Sequence, residues 1–251
     1  MGEPTLDRAF WITWYDLPVA GRDAYLSWLH GTYMLKVRAR PGVLWAAHYA
    51  SEQDAVPLGG GKGMVGRHAA DGSVPAGDRY ILMFGASEPH AFMTPGPREF
   101  NAALPEADRA MLALRSGERV NVMVEEATVL GPEAKRIRED MVPGAGIQLG
   151  SFNAASVEDE EEMAAWYAQS RLPSLKSVPG FIRARKLVSV TGWAKHACFY
   201  EFTSVEARGE HFVHFQRANP EMEAQSRKIV GKLIHAPGSS NVARRLWPPV
   251  E

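Results

Sequence analysis

Residues 25–42, YLSWLHGTYMLKVRARPG, return in altered form at 163–180 as MAAWYAQSRLPSLKSVPG, and any fold for this chain has to accommodate that repetition. The polar residues differ, but the apolar frame recurs at an offset of 138: Trp28 over Trp166, Leu29 over Tyr167, Pro41 over Pro179, Gly42 over Gly180. A helix pattern that runs into the same Pro-Gly stop twice implies one supersecondary plan used twice.

The flanking segments obey the same order. In the first half FWITWYDL (10–17) reads as a strand, 22–38 as a helix, and VLWAAHY (43–49) and RYILMFG (79–85) as strands. Residues 97–117 read as helix broken or restarted at Pro105, and ERVNVMVEEATVL (118–130) as a fourth strand. In the second half IQLGSFNA (147–154) is a strand, 156–177 a helix, FIRARKLVSV (181–190) and WAKHACFYEFTS (193–204) strands. Helix follows from VEARGEHFVHF onward, and SSNVARRLW (239–247) can close the sheet. The order β-α-β-β-α-β is the ferredoxin-like split unit, an antiparallel sheet with both helices on one face. The predicted class is therefore α+β. Two fused units, 1–131 and 147–251 about a linker at 132–146, pack their bare sheet faces together as an intramolecular α+β barrel.

These residues resemble the dimeric α+β barrel superfamily, and within it the group named after the ethyl tert-butyl ether degradation protein. That group carries an aromatic residue on its first helix, then His-x-Pro, then Pro-Gly six residues after that Pro. Tyr167, Arg171, Pro173 and Pro179-Gly180 keep the spacing, with Arg171 in place of the His; in the first half Tyr33 and Leu35 stand where His and Pro would be. The resemblance implies the fold more than an activity, since the superfamily contains isomerases, polyketide cyclases, cofactor-free oxygenases and haem enzymes.

Composition narrows the field. Of 251 residues 45% are hydrophobic and 23% charged, the balance of a chain with a substantial core. A net charge of -1 without a basic tract excludes an electrostatic nucleic-acid surface. The N-terminal residues contain early acids and no long apolar run, so neither a signal peptide nor a membrane span is expected. Together with the lone Cys198 this predicts a cytoplasmic protein. Exposed helix faces leave room for a homodimer of the whole chain.

Several motifs have ordinary explanations. GKGMVG (61–66) satisfies G-x-G-x-x-G, yet neither a preceding strand nor a following helix frames it, and it reads as loop. The connection at 50–78 is long enough to be either a lid over a pocket or an inert insertion. EDEEE (158–162) cannot converge on one ion from a helix, whereas Ser156 as N-cap makes it a helix start. Among eight histidines, His211 and His214 are one turn apart, and His68 and His235 sit among Gly, Pro and Ser, where exposure is expected. No metal site and no cofactor are predicted. Cys198, mid-strand among apolar residues, reads as a small buried hydrophobe.

Two constellations carry chemistry. Strand alternation puts Arg183 and Arg185 on one face and, on the next strand, separates His196, Cys198, Tyr200 and Phe202 from Ala197, Phe199 and Glu201. Glu201 could pair with the arginines in a structural network, or the arginines could line a pocket and bind a substrate carboxylate. In the first half Tyr15, His30, Tyr33, Trp45, His48 and Tyr80 fall together. The expectation is that His48 acts as base, Tyr15 or Tyr33 steadies an oxyanion and His30 assists, with Trp45 and Tyr80 as aromatic walls. The resemblance points the same way, because polyketide cyclases of the superfamily use His and Tyr between sheet and helices. The expected function is cofactor-independent acid/base chemistry, as a lyase, cyclase or isomerase, on a small aromatic or polyketide-like substrate. The alternatives are an oxidoreductase or monooxygenase, cofactor-free or haem-bearing with His211 or His214 as ligand, and a ligand-binding protein without turnover.

Overall fold

The structure is a computed structural model that describes residues 7–52, 67–69, 72–137 and 142–250. The first unit consists of β1 (Ala9–Asp16), a helix in three parts with α1 (Arg22–Trp28), a π turn (Leu29–Tyr33) and α2 (Met34–Arg38), then β2 (Val43–Ser51), the short β3 (Arg67–His68) and β4 (Tyr80–Ala86). It ends with α3 (Pro97–Ala102), α4 (Glu106–Leu112) and β5 (Ser116–Leu130), and Pro105 is the residue that separates the two helices. The second unit repeats this with β6 (Gly146–Ala154), α5 (Val157–Trp166), a π turn (Tyr167–Arg171), α6 (Leu172–Ser174), β7 (Phe181–Thr191) and β8 (His196–Phe202). There follow α7 (Val205–Ala207), a third π turn (Arg208–Phe212), α8 (Val213–Arg217), α9 (Pro220–Val230), β9 (Leu233–His235) and β10 (Asn241–Trp247).

Each unit has the strand order expected of the ferredoxin-like plan: β2-β4-β1-β5 and β7-β8-β6-β10. The sheets face each other, as predicted, and are also hydrogen-bonded along both edges. β5 pairs antiparallel with β7, with Leu130 opposite Arg183, and β10 pairs antiparallel with β2, with Ala243 opposite Ser51. The last strand of each unit thus joins the second strand of the other, and eight strands close into a ring with no open edge between the units. β9 and β3 extend from β6 outside the ring and were not anticipated.

The repeated helix explains itself locally. Each copy ends where a left-handed residue turns the chain into the next strand: Gly42 has φ +81° and Gly180 φ +73°, a region that costs other residues steric strain. The acidic run begins α5, and the Ser156 hydroxyl accepts a hydrogen bond from the Asp159 N–H.

Alternation along the strands sorts side chains into a lumen and two helix-covered faces. Phe10, Ile12, Trp14, Trp45, Met83 and Phe199 belong to the lumen cluster. Trp11, Tyr15, Tyr33 and Phe84 pack under the first unit's helices, and Tyr167, Tyr200, Phe202 and Phe212 under the second's. The lumen also holds charge. Glu201 is 1% exposed and accepts from Arg183 Nε at 2.5 Å, with Arg185 Nε at 3.3 Å. Arg185 Nη2 lies 2.9 Å from Asp7 Oδ2, and Trp45 Nε1 donates to the same oxygen at 2.7 Å. The arginines therefore form the structural network that alternation allowed, since buried ions persist when paired. No helix among the described residues is long and apolar enough to cross a membrane.

Candidate functional site

The two units present equivalent rows of three side chains to their helices, fixed by register. In the first unit Trp11 pairs with Phe84 and Phe84 with Ala46; in the second Gln148 pairs with Tyr200 and Tyr200 with Ala184. The next row is Thr13, Leu82 and His48 against Gly150, Cys198 and Lys186. Trp11 fills the first unit, its ring 5.2 Å from Phe84 and 6.1 Å from Phe92. The smaller Gln148 and Gly150 leave the corresponding volume of the second unit open, where a Cβ on Gly150 would come within 3.1 Å of the Ser240 hydroxyl. A cavity of about 310 Å³ results, between β6 and β8 below and the helices above.

Its walls are polar at specific points. Tyr167 and Arg171 come from one π turn and Arg208 from another, local widenings of a helix that redirect side chains. Arg171 is 3% exposed; its Nε donates to Tyr200 Oη and its Nη1 to Gln216 Oε1, both at 3.3 Å. Arg208 donates from Nε (2.9 Å) and Nη2 (2.8 Å) to Gln148 Oε1. Burial, and then the charge of Arg171, bring Arg208 down to about 10, so both guanidinium groups remain charged near neutral pH. Burial raises Tyr167, Tyr200 and the Cys198 thiol, which therefore stay neutral. Phe152 and Tyr167 stack with ring planes 3° apart and form an aromatic wall.

Among the described residues, four buried polar atoms of the lining have no hydrogen-bond partner: Trp166 Nε1, Ser226 Oγ, His235 Nδ1 and Asn241 Oδ1. Buried polar groups are nearly always satisfied, which sets these four atoms apart from their surroundings. His235, expected to be exposed, is 7% exposed because β9 pairs with β6 and places its ring against Phe152, 5.6 Å away. Burial, and then the nearby His68, lower its pKa to about 4 against a hydrogen bond to the Arg67 main chain. At neutral pH it is an uncharged imidazole, and among the described residues its Nδ1 has no hydrogen-bond partner. His68 is exposed, as expected, and its Nε2 lies 3.0 Å from the Ser239 carbonyl oxygen. Ser51, Glu52, His68 and Asp78, from the two ends of the 50–78 connection, line the same cavity, so the first unit contributes to the second unit's site. GKGMVG lies outside the described residues.

Most of the predicted first-unit constellation does assemble, with Tyr15, Tyr33 and His48 buried and His30 and Tyr80 half-buried. Tyr15 Oη is 2.8 Å from His48 Nε2, and His48 Nδ1 is 2.9 Å from His30 Nε2. Tyr80 stacks on both Tyr15 and His48, at 5.6 and 5.5 Å. Tyr33 instead donates to Asn101 Oδ1 at 2.8 Å, and Trp45 turns to the lumen. Arg183 and Arg185 are committed to Glu201 and Asp7, although Arg183 also borders a small cavity of about 150 Å³ at the linker end. Arg115, which the sequence did not single out, lies 4.7 Å from the Tyr15 ring, and its Nε donates to Tyr25 Oη at 2.6 Å. His48 has no exposure, and its ring nitrogens are engaged by Tyr15 and His30.

His48 does bear on stability. Burial, then His30 and Arg115, hold its pKa well below the ordinary value, whereas the unfolded chain titrates near 6.5. Between these values the unfolded state binds more protons, so stability is complete above about pH 6.5 and declines as pH falls, by at most about 1.4 kcal/mol per unit for each such histidine. His235 adds to the trend down to about 4. The urea midpoint is therefore expected to drop from pH 7 to pH 5, and less so in His48→Gln; an unchanged midpoint would contradict this account.

His211 is partly exposed with its Nε2 3.9 Å from Glu210, and His214 is exposed; neither lines the cavity, so these two do not fit an axial haem role there. Among the described residues no three His, Cys, Asp or Glu side chains gather as they would around a metal ion.

No protein-family model matches the sequence, and no curated protein matches it. Solved structures match along nearly the whole chain. An anthrone oxidase-like protein has a TM-score of 0.58 at 9% identity, over 96% of this chain and 92% of its own. A protein of Fusobacterium nucleatum subsp. nucleatum, provisionally described as a monooxygenase, has 0.56 at 9% identity over 95% and 92%. A protein provisionally described as a chlorite dismutase has 0.53 at 13% identity over 96% and 96%. At such identities the likeness concerns the fold alone, a closed eight-stranded α+β barrel with both ferredoxin-like halves on one polypeptide.

Proposed function

We propose that the protein is a small-molecule enzyme whose site is the second-unit cavity, and that it performs acid/base chemistry, as a lyase, cyclase or isomerase, on an aromatic or polyketide-like compound. The observation that carries this is the free Nδ1 of buried His235 in a cavity that also holds Arg171 and Tyr200. A neutral imidazole removes a proton from carbon or oxygen, and a guanidinium with a neutral phenol stabilises the oxyanion that develops. Aromatic walls suit a ring substrate. In this reading the base is His235 rather than His48, whose nitrogens are both occupied.

Hydrogen–deuterium exchange tests the proposal. Aromatic ketones and polyketide-like β-dicarbonyl compounds are incubated with the protein in D₂O, and catalysed exchange next to the carbonyl is expected with wild type but not with His235→Ala. Compounds that bind without accelerated exchange would count against it. A second reading, oxidation of such a substrate, draws support from the monooxygenase and anthrone oxidase-like names among proteins of this fold. Oxygen consumption in the same incubations separates the two.

A further inference from the structure

We propose that the second-unit cavity takes an aromatic carboxylate, with the carboxylate seated on Arg171. This deepens the reading above and rests on it for the place of the site. Arg171 is a cation almost completely removed from solvent, and among the described residues its partners are neutral: the Tyr200 hydroxyl and the Gln216 amide oxygen, each at a long 3.3 Å. No carboxylate of the described residues lies within ion-pair distance of it, in contrast to Arg183 and Arg185, which have Glu201 and Asp7. A buried charge without a counter-charge loses several kcal/mol of solvation, so folded chains keep such a group only where something repays it.

The lining holds two carboxylates, but neither pairs with Arg171: Glu52 Oε1 lies 2.9 Å from Arg244 Nε, and among the described residues Asp78 makes no ion pair. Tyr167, Tyr200 and Cys198 are all held in their neutral forms by burial. Arg208, in the same lining, adds positive charge. A ligand anion is the remaining source. Its shape follows from the donor: a guanidinium has five N–H groups in a plane, of which Tyr200 and Gln216 use two, and the planar fork matches a carboxylate. The guanidinium is held in place by the rings of Phe212 (4.9 Å) and Tyr200 (5.5 Å). The Phe152–Tyr167 wall offers an aromatic ring its stacking partner, and a volume of about 310 Å³ accommodates a one- or two-ring molecule.

Calorimetric titration of the full chain with benzoate, 1-naphthoate and 2-naphthoate, each beside its neutral carboxamide, tests this. Carboxylates are expected to bind more tightly than carboxamides by about 10- to 150-fold, the worth of a hydrogen bond to a charged group. The preference should vanish in Arg171→Gln and partly return in Arg171→Lys. Gln216→Glu provides a second route, because it puts an internal carboxylate against Arg171; that variant should melt higher and lose the carboxylate preference. Equal affinity for acid and amide, no carboxylate binding, or a preference unchanged in Arg171→Gln or Gln216→Glu overturns the proposal. Carboxylate-selective binding without deuterium exchange would sink the acid/base reading and leave the anion site standing. Exchange confined to neutral compounds would do the reverse.

Discussion

Replacing Glu201 with alanine is expected to lower the free energy of unfolding by about 3–5 kcal/mol, the cost of breaking one partner out of a buried ion cluster. Glu201 Oε1 takes Arg183 and Arg185 together, and Oε2 accepts from the Gly144 N–H at 3.1 Å. Without it two lumen guanidinium groups share Asp7, which Trp45 also uses. The cost is mainly that of stranded cations, so the double change Glu201→Leu with Arg183→Met should be milder than Glu201→Ala alone. Urea unfolding monitored by tryptophan fluorescence measures both. A loss below about 1 kcal/mol for Glu201→Ala would mean that water reaches the lumen and the cluster is not buried in solution.

On the catalytic side, His235→Ala is expected to reduce turnover by about 10²- to 10⁴-fold, the usual contribution of a positioned general base, and to leave aryl carboxylate binding nearly unchanged. Arg171 and His235 line one cavity but belong to different elements, a π turn and β9, so binding and proton transfer can be removed separately. Burial, and then the nearby His68, hold the imidazole at about 4, which makes the active, neutral form dominant above that pH. The acid limb of kcat/KM should therefore lie near 4 rather than near 6.5, and His235→Gln should abolish it. A variant that keeps a third of the wild-type rate, or an acid limb near 6.5 that survives the substitution, would assign the base elsewhere.

Much of the architecture is readable in the sequence. The Trp-to-Pro-Gly frame repeated at 138 residues locates the first helix and second strand of both units, and alternation puts Arg183 and Arg185 on one shared face, which in the structure is the lumen face with Glu201. Which unit is hollow was harder to see. The helix and second strand repeat at 138, but register sets Tyr15 against Phe152 and Trp11 against Gln148, an offset of 137 on the first strand. Only with that one-residue difference does the exchange of Trp11 and Thr13 for Gln148 and Gly150 become visible. The aromatic richness around His48 resembles a substrate cleft in sequence because packed aromatic cores and aromatic pockets have the same composition; their difference is volume. The burial of His235 is hidden for another reason. Its Gly, Pro and Ser neighbours suggest a surface loop, and nothing local reports that a three-residue strand there pairs with β6.

The closed ring has a consequence for how such a chain can change over time. In an assembly of identical subunits every substitution appears at both symmetry-related places, so a pocket opened in one is opened in the other and the rigidity lost is lost twice. Here Trp11 and Gln148 are independent codons. One half can stay solid and act as the abutment against which the other is carved, and the two edge seams carry that stiffness across.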